Sequence, residues 1–265
     1  MFKLFKKIVW FILDKILFNY ESPHYFKTFY IIAERYTKFY QGDNNHSRET
    51  NGGWRFLRDY IEQKKPRVIF DVGAHIGEYA LRINKQDPSV RVYCFEPVAR
   101  TFDMLNKNII GIENIIPVKF ALSSAKGLST IYTNSKIEAI NTLQKVSDSS
   151  TFVYDGSEEV EVSTVDYYCK ENNIKHIDML KIDTEGHDLE VIRGAKEMIA
   201  SSKVDVIQFE FGLLNTYSHT YIYDFYQFLK PFGYELYKIK PLKEERVNMP
   251  EQERTVYAYF VARKN

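Results

Sequence analysis

The sequence predicts an α/β fold: a mostly parallel sheet covered on both faces by helices. Two observations carry that prediction. From Pro66 onward, short runs rich in β-branched and aromatic residues alternate with amphipathic stretches of helical period. The first such run, "VIFDVGAHIGEY" (Val68 to Tyr79), passes from a strand through a glycine turn into a helix, the element order of a nucleotide-binding unit. With 265 residues, 45% of them hydrophobic, the chain is long enough for one large domain with an appendage.

Residues 1–64 read as an N-terminal helical extension and residues 65–265 as the sheet domain. The opening "MFKLFKKIVWFILDKILF" has a basic start and an apolar stretch broken by Asp14 and Lys15, shorter than the roughly 20 residues of a spanning helix. No small-residue cleavage site follows, so no signal peptide is expected. On a helical wheel Phe2, Phe5, Val9, Ile12, Leu13 and Ile16 share one face, with Lys3, Lys7, Asp14 and Lys15 on another. Two readings stay open: the apolar face packs on the main domain or a second subunit, or it lies on an anionic membrane surface. A second amphipathic helix, "YFKTFYIIAERYTKFY" (Tyr25 to Tyr40), extends either surface.

The strands expected next are Val68–Val72, Val90–Phe95, Ile115–Ala121, Met179–Ile182 and Val204–Phe209, with helices near Glu78–Lys85, Thr101–Asn108 and Leu189–Ile199. Residues 128–165 break this rhythm and read as a β insertion, with short strands at "STIYT" and "EEVEVSTV". At the C-terminus "YELYKI" and "TVYAYFVA", joined by a charged loop, suit an antiparallel pair. Cys94 sits in an apolar run far from Cys169, as expected of a buried thiol in a reducing, cytoplasmic compartment. A net charge of +1 calls for no nucleic-acid partner.

A pyrophosphate-binding turn carries three glycines; here there are two, Gly73 and Gly77, preceded by Asp71, with Ala74 and His75 between. An acid at the strand end repels a phosphate. It suits a cofactor with an ammonium, a sulfonium and a carboxylate, and S-adenosylmethionine fits that description. Glu96 ends the next strand in "YCFEP", 25 residues after Asp71, where a carboxylate can accept both hydroxyl protons of a ribose.

The stretch "IDMLKIDTEGHDLEVIRGA" (Ile177 to Ala195), with "FDVGAHIG" and "FEP" upstream, resembles the FkbM family of S-adenosylmethionine-dependent methyltransferases. Lys181, Asp183, Glu185, Gly186, Leu189, Glu190 and Gly194 match the family pattern. His75, Thr184, His187 and Asp188 depart from it, which makes the acceptor site individual. The likeness runs from about Val68 to Glu210 and leaves the N-terminal helices to be read on physics alone. It implies a seven-stranded class I methyltransferase sheet (Rossmann-like) with its last strand antiparallel, and O-methylation of a sugar or similar hydroxyl. Asp71, Gly73, His75 and Gly77 would then line the methionine part of the cofactor, Glu96 with Pro97 the ribose, and Ala121 and Leu122 the adenine. Asp183 would stand near the methyl group. The fragment "NTL" (Asn141 to Leu143) either covers the cofactor or is a plain loop.

On the acceptor side, Asp183, Glu185 and His187 are the candidate catalytic residues, Glu185 or His187 as general base. His187 can equally be a first-turn residue facing solvent, and Glu185 a carboxylate at a helix N-terminus. Asp183 and Glu210 are the candidate ligands of a divalent ion. Metal dependence is the weaker expectation, because Glu210-Phe211 stands where metal-dependent sugar methyltransferases pair two aspartates. The alternatives are a nicotinamide-dependent oxidoreductase, which the missing third glycine opposes, and a non-catalytic membrane-associated scaffold. A composition rich in Lys, Ile, Asn and Tyr and the amphipathic N-terminus suggest a microbial, cytoplasmic enzyme that modifies surface glycans, peripheral at the inner membrane face if the membrane reading of the helix holds.

Overall fold

The computed structural model describes residues 23–135, 140–144, 153–249 and 257–264. The expected first helix, Phe2 to Ile16, lies outside them. Helix α1 (Pro23–Gln41) follows, and among its described side chains Tyr30, Ile32, Tyr36 and Phe39 are all more than half exposed. Helix α2 (Gly53–Lys64) behaves in the opposite way: Trp54, Phe56, Leu57, Tyr60 and Ile61 are buried in the body of the protein.

The sheet domain runs β1 (Val68–Val72), α3 (Glu78–Gln86), β2 (Arg91–Phe95), α4 (Ala99–Asn108), β3 (Ile115–Val118), β4 (Ala121–Leu122), β5 (Gly127–Thr133), β6 (Gly156–Ser163) and α5 (Val165–Glu171). It continues with β7 (Ile177–Ile182), α6 (Asp188–Arg193), α7 (Lys196–Ala200), β8 (Val204–Phe211), α8 (Leu213–Tyr217), α9 (Ile222–Leu229), β9 (Tyr234–Ile239), β10 (Glu244–Arg246) and β11 (Ala258–Lys264). The central sheet has the order β10-β9-β11-β8-β7-β1-β2-β3. β3, β2, β1, β7 and β8 are parallel, and β11 runs antiparallel to both β8 and β9. The expected last antiparallel strand is therefore present. The count is eight rather than seven, because the charged loop after β9 contributes β10, whose Glu244 reaches Arg55 at 2.8 Å.

Strand alternation builds two cores. Phe70, Leu180, Phe209 and Phe260 face one layer, under α5, α6, α7 and α9. Ile69, Met179, Val206 and Val261 face the other, under α2, α3 and α4.

Two sequence expectations are corrected here. The run Ile115–Ala121 is not one strand: β3, an edge strand carrying Pro117, ends at Val118, and β4 pairs instead with β6 in a separate sheet of order β4-β6-β5. That small sheet is the expected β insertion. The helix expected over Leu189–Ile199 is two helices. The N–H of Asp166 takes the Gly194 carbonyl (3.0 Å), and the Asp166 carboxylate accepts from Glu197 and Met198 N–H (2.8 and 3.0 Å), starting α7 afresh. Cys94 and Cys169 are both free and buried.

Candidate active site

The strand order reverses at β1, between β2 and β7, and open α/β sheets bind ligands in the crevice at the carboxyl ends of strands there. A cavity of about 550 Å³ occupies this place. Gly73, His75, Glu96, Pro97, Ala121, Leu122, Asp183, Glu185 and Glu210 all line it. Asp71, Gly77 and His187 do not.

Asp71 lies beneath the cavity floor. Neighbouring strands bring it beside Lys181, whose Nζ donates to its Oδ1 at 2.7 Å and stands 3.6 Å from Asp183 Oδ2. Asp71 is fully enclosed, and Lys181, buried at the cavity wall, stands over the ring of Tyr79. Burial alone lowers the pKa of Lys181, but Asp71 and Asp183 outweigh it and raise it, so the ammonium keeps its proton. The predicted contact of Asp71 with the methionine part is thus replaced by an internal ion pair.

The glycine turn is shaped by close backbone approach. Gly73 has φ +74°, and a Cβ on it would stand 1.9 Å from the Asp183 carbonyl oxygen. Its N–H and that of Ala74 both donate to the Phe95 carbonyl, at 3.0 and 3.1 Å. Gly77 donates its N–H to the Ala74 carbonyl at 2.8 Å and starts α3, behind the cavity wall. Glu96 accepts His75 N–H on Oε2 (2.8 Å), and Val98 N–H (3.0 Å) and Thr101 Oγ1 (2.7 Å) on Oε1. Burial raises its pKa, against these hydrogen bonds. Ala121, Leu122, Ile131 and Leu143 add an apolar wall.

Across β1 the character changes. Oxygens of Asp183, Glu185 and Glu210 come within 4.8 Å of one another. Asp183 also faces Arg48, Nη2 to Oδ2 2.5 Å. Burial would raise the Asp183 pKa, but Lys181 and Arg48 outweigh it and hold it below the usual carboxylate value. For Glu185 the same two cations do not outweigh burial and the Asp183 charge, which push it, like Glu210, well above its ordinary value. Asp188, buried beside them at the cavity wall, is pushed up to about 7 by burial and by Asp183. Glu185 is held at φ +52°, a strained conformation for a residue with a side chain. The next residue, Gly186 (φ +89°), has no room for a Cβ against the Leu214 backbone at 2.8 Å. Thr142 of the "NTL" fragment donates to the Glu185 carbonyl at 2.7 Å, so the β insertion docks on this acidic turn.

The two roles left open for His187 are both corrected. Its ring is half-buried between Ser123 Oγ on Nε2 (2.8 Å) and Gln144 Nε2 on Nδ1 (3.0 Å). Burial pushes its pKa down to about 4, so it is a neutral strut rather than a solvent-facing residue or a base on the cavity.

Sequence reasoning missed several residues of the cavity: His46, Arg48, Trp54, Tyr257 and Tyr259, together with Asn215 and Asp188. Arg48 and His46 come from the polar loop before α2 and carry no local motif. Tyr259 was within reach of the pattern, because its strand pairs it opposite Glu210, and its hydroxyl hydrogen-bonds that carboxyl.

Comparison with known proteins bears on this site. The family described as the Methyltransferase FkbM domain matches residues 71–236, which include every one of the acids above and the glycine turn. Hexuronic acid methyltransferase AglP of Haloferax volcanii is 28% identical over 168 residues, 63% of this chain and 66% of that protein. 2-O-methyltransferase NoeI of Sinorhizobium fredii is 23% identical over 56% of this chain and 65% of its own length. The chain thus spans about two thirds of the length of these curated relatives. Among solved structures, Methyltransferase FkbM from Methylobacillus flagellatus superposes with a TM-score of 0.46 at 14% identity, over 74% of this chain and 43% of that one. Since the family match covers well over half of the 265 residues, this chain belongs to the methyltransferase FkbM domain family.

Proposed function

We propose that this protein is an S-adenosylmethionine-dependent O-methyltransferase acting on a hydroxyl of a sugar or similar small molecule. The single observation that carries the reading is one cavity in which a glycine turn and a ribose-type acid, Gly73 and Glu96, meet a cluster of buried acids, Asp183, Glu185 and Glu210. The volume is in the range of small-molecule sites. Glu96 Oε2 carries one hydrogen bond and keeps a lone pair for a ribose hydroxyl. Gly73 lets the turn close against the Asp183 backbone at the cavity wall, and Ala121 and Leu122 offer an apolar wall for adenine. The cofactor supplies, when bound, a methyl group on a sulfonium leaving group.

The chain's own residues then have two tasks, alignment and proton removal. Asp183, kept ionised by Lys181 and Arg48, orients the acceptor hydroxyl. Glu185, whose pKa burial and the Asp183 charge raise, is in its ionised form the stronger proton acceptor for it and takes the proton as that oxygen attacks. A sugar acceptor is the class that the printed names of AglP and NoeI suggest. Calorimetric titration with S-adenosylmethionine and with a nicotinamide dinucleotide tests the cofactor. A screen of glycans with labelled S-adenosylmethionine tests the acceptor. Binding of the dinucleotide alone overturns the reading.

The exposed face of α1 supports a peripheral contact as well. Ile32, Tyr36, Phe39 and Tyr40 fall on one side, Tyr36 stacked on Tyr40 at 5.2 Å, with Lys27 and Lys38 on the other. No helix among the described residues is long and apolar enough to cross a membrane. A surface-lying helix on anionic lipid uses such a face. Cosedimentation with phosphatidylglycerol vesicles, lost when Ile32, Tyr36 and Phe39 are changed to serine, is the expected result. A change in oligomeric state instead assigns the face to a second copy.

A further inference from the structure

Three carboxylates with oxygens within 4.8 Å of one another are a donor set suited to a hard divalent cation. Two cations of the chain itself already hold the most ionised member. Arg48 Nη2 stands 2.5 Å and Lys181 Nζ 3.6 Å from the same oxygen, Asp183 Oδ2. A metal–oxygen bond is about 2.0–2.6 Å. An ion on Oδ2 and the guanidinium would therefore share one oxygen as like-charged neighbours with no water between them. Arg48 is not loosely placed. Its Nε donates to Tyr259 Oη at 3.2 Å, and its guanidinium lies 5.4 Å from the Trp54 ring centre and 5.9 Å from that of Tyr259. Its Nη1 stands 3.6 Å from Glu78, in the first turn behind the glycine turn. The side chain thus spans the cavity from the start of α3 to the turn after β7. The donor set is present, but its member Asp183 already carries two cations of the chain on one oxygen.

We propose that Arg48 is the built-in counter-cation of the Asp183–Glu185–Glu210 cluster, fixing these carboxylates in the place where a divalent ion would otherwise be required. Arg48 is a positioning residue that acts through Asp183. The idea deepens the proposed function and rests on reading this cluster as the acceptor side. Its test reads the cation directly and not activity alone. A guanidinium removed from among three acids leaves a vacancy that a divalent ion fills, whereas a merely structural arginine leaves no such vacancy.

The experiment is Mn²⁺ titration of the full chain, followed by electron paramagnetic resonance. The wild type is expected to bind no ion at the cluster, and its methyl transfer to be indifferent to chelator. Arg48→Gln is expected to gain a Mn²⁺ site, tighter than any wild-type binding there by about tenfold or more. Adding Asp183→Asn removes the gained site, and Arg48→Lys, which keeps the charge, does not gain it. The surface group His176, Asp178 and Asp205 can also collect Mn²⁺, and loss of signal in Asp205→Asn identifies that contribution. Wild-type Mn²⁺ binding that Asp183→Asn abolishes overturns the proposal without recourse to any Arg48 variant. So does an Arg48→Gln protein with the wild-type melting profile that binds no further ion. Calorimetry with S-adenosylmethionine is read separately, so a failure of the cofactor assignment is distinguished from a failure of Arg48.

Discussion

The two sides of the cavity solve opposite electrostatic problems. On the β2 side, Glu96 is buried but accepts three hydrogen bonds, from His75, Val98 and Thr101, and its geometry is set by backbone. On the β7–β8 side, four acids (Asp183, Glu185, Asp188 and Glu210) crowd together, and only at Asp183 do Lys181 and Arg48 outweigh burial. The first arrangement holds a carboxylate in one orientation, while burial raises its pKa against three hydrogen bonds. The second raises the pKa of Glu185, Glu210 and Asp188 through burial and like charge, which makes the ionised form of each a stronger proton acceptor. The proposed function divides binding and chemistry along the sheet, with Asp71 and Lys181 as the ion pair between the two sides.

The largest effect is expected where that division is sharpest. Glu185→Gln removes the proton acceptor while keeping size and polarity, and turnover should fall by about 10²–10⁴-fold with cofactor affinity nearly unchanged. His187→Ala should leave turnover close to wild type, because its ring is a strut between Ser123 and Gln144. Steady-state rates and calorimetric titration of both variants make the check. A large loss in His187→Ala with an active Glu185→Gln would reverse the assignment.

Next in size comes that ion pair. Lys181→Met leaves Asp71 buried without its counter-charge, and breaking a buried pair this way costs roughly 3–5 kcal/mol. A drop in Tm of about ten degrees, by scanning calorimetry, is the expected reading. A variant that melts with the wild type would show that Asp71 is already neutral in the folded chain.

These predictions also mark what was legible in the sequence. Strand β1, the glycine turn and β7 with its acid turn were readable because strand, turn and helix signals are local and the turn demands glycine. The parallel sheet followed from the alternation. Arg48 was not readable, since its importance comes from contact with Asp183, 135 residues away, through a loop with no periodicity. The burial of Asp71 was hidden for the same reason: a lone acid at a strand end looks ligand-facing until the neighbouring strand supplies Lys181. The break at Gly194 depended on Asp166 from another helix, which no helical wheel contains.

On the β2 side a smaller effect is expected. Glu96→Ala loses charge-assisted hydrogen bonds to a ribose and should weaken S-adenosylmethionine binding by about ten- to hundredfold, on the order of 1.5–3 kcal/mol. Turnover at saturating cofactor should change far less, because no proton passes through this carboxylate. Unchanged affinity in a folded variant removes Glu96 from the site.

The smallest expected effect is a slope of stability with pH, and it separates the two sides without any ligand. Glu185, Glu210 and Asp188 have raised pKa values in the folded chain, chiefly through burial. Such groups stabilise fully below the unfolded carboxyl value, about 4, and lose that contribution as pH rises through the folded value. For Asp188 the folded value is about 7. Asp183 runs the other way: its pKa is depressed, so its contribution holds above the unfolded value and is lost only in acid. His187, with its pKa pushed down to about 4, likewise loses stability only as the pH falls below the unfolded imidazole value, about 6.5. As pH rises through about 7, the folded value of Asp188, the acid side should thus lower Tm, while Asp183 adds no slope and that of His187 dies away above about 6.5. Glu210→Gln deletes one raised carboxyl and keeps a donor toward Asp183, so its Tm should fall less steeply over the same rise in pH. On the β2 side, Glu96→Gln carries a smaller version of the same change, because three hydrogen bonds oppose its burial. Equal slopes in wild type and Glu210→Gln would mean that the acid cluster carries its charges at no cost, and the contrast between the two sides would vanish.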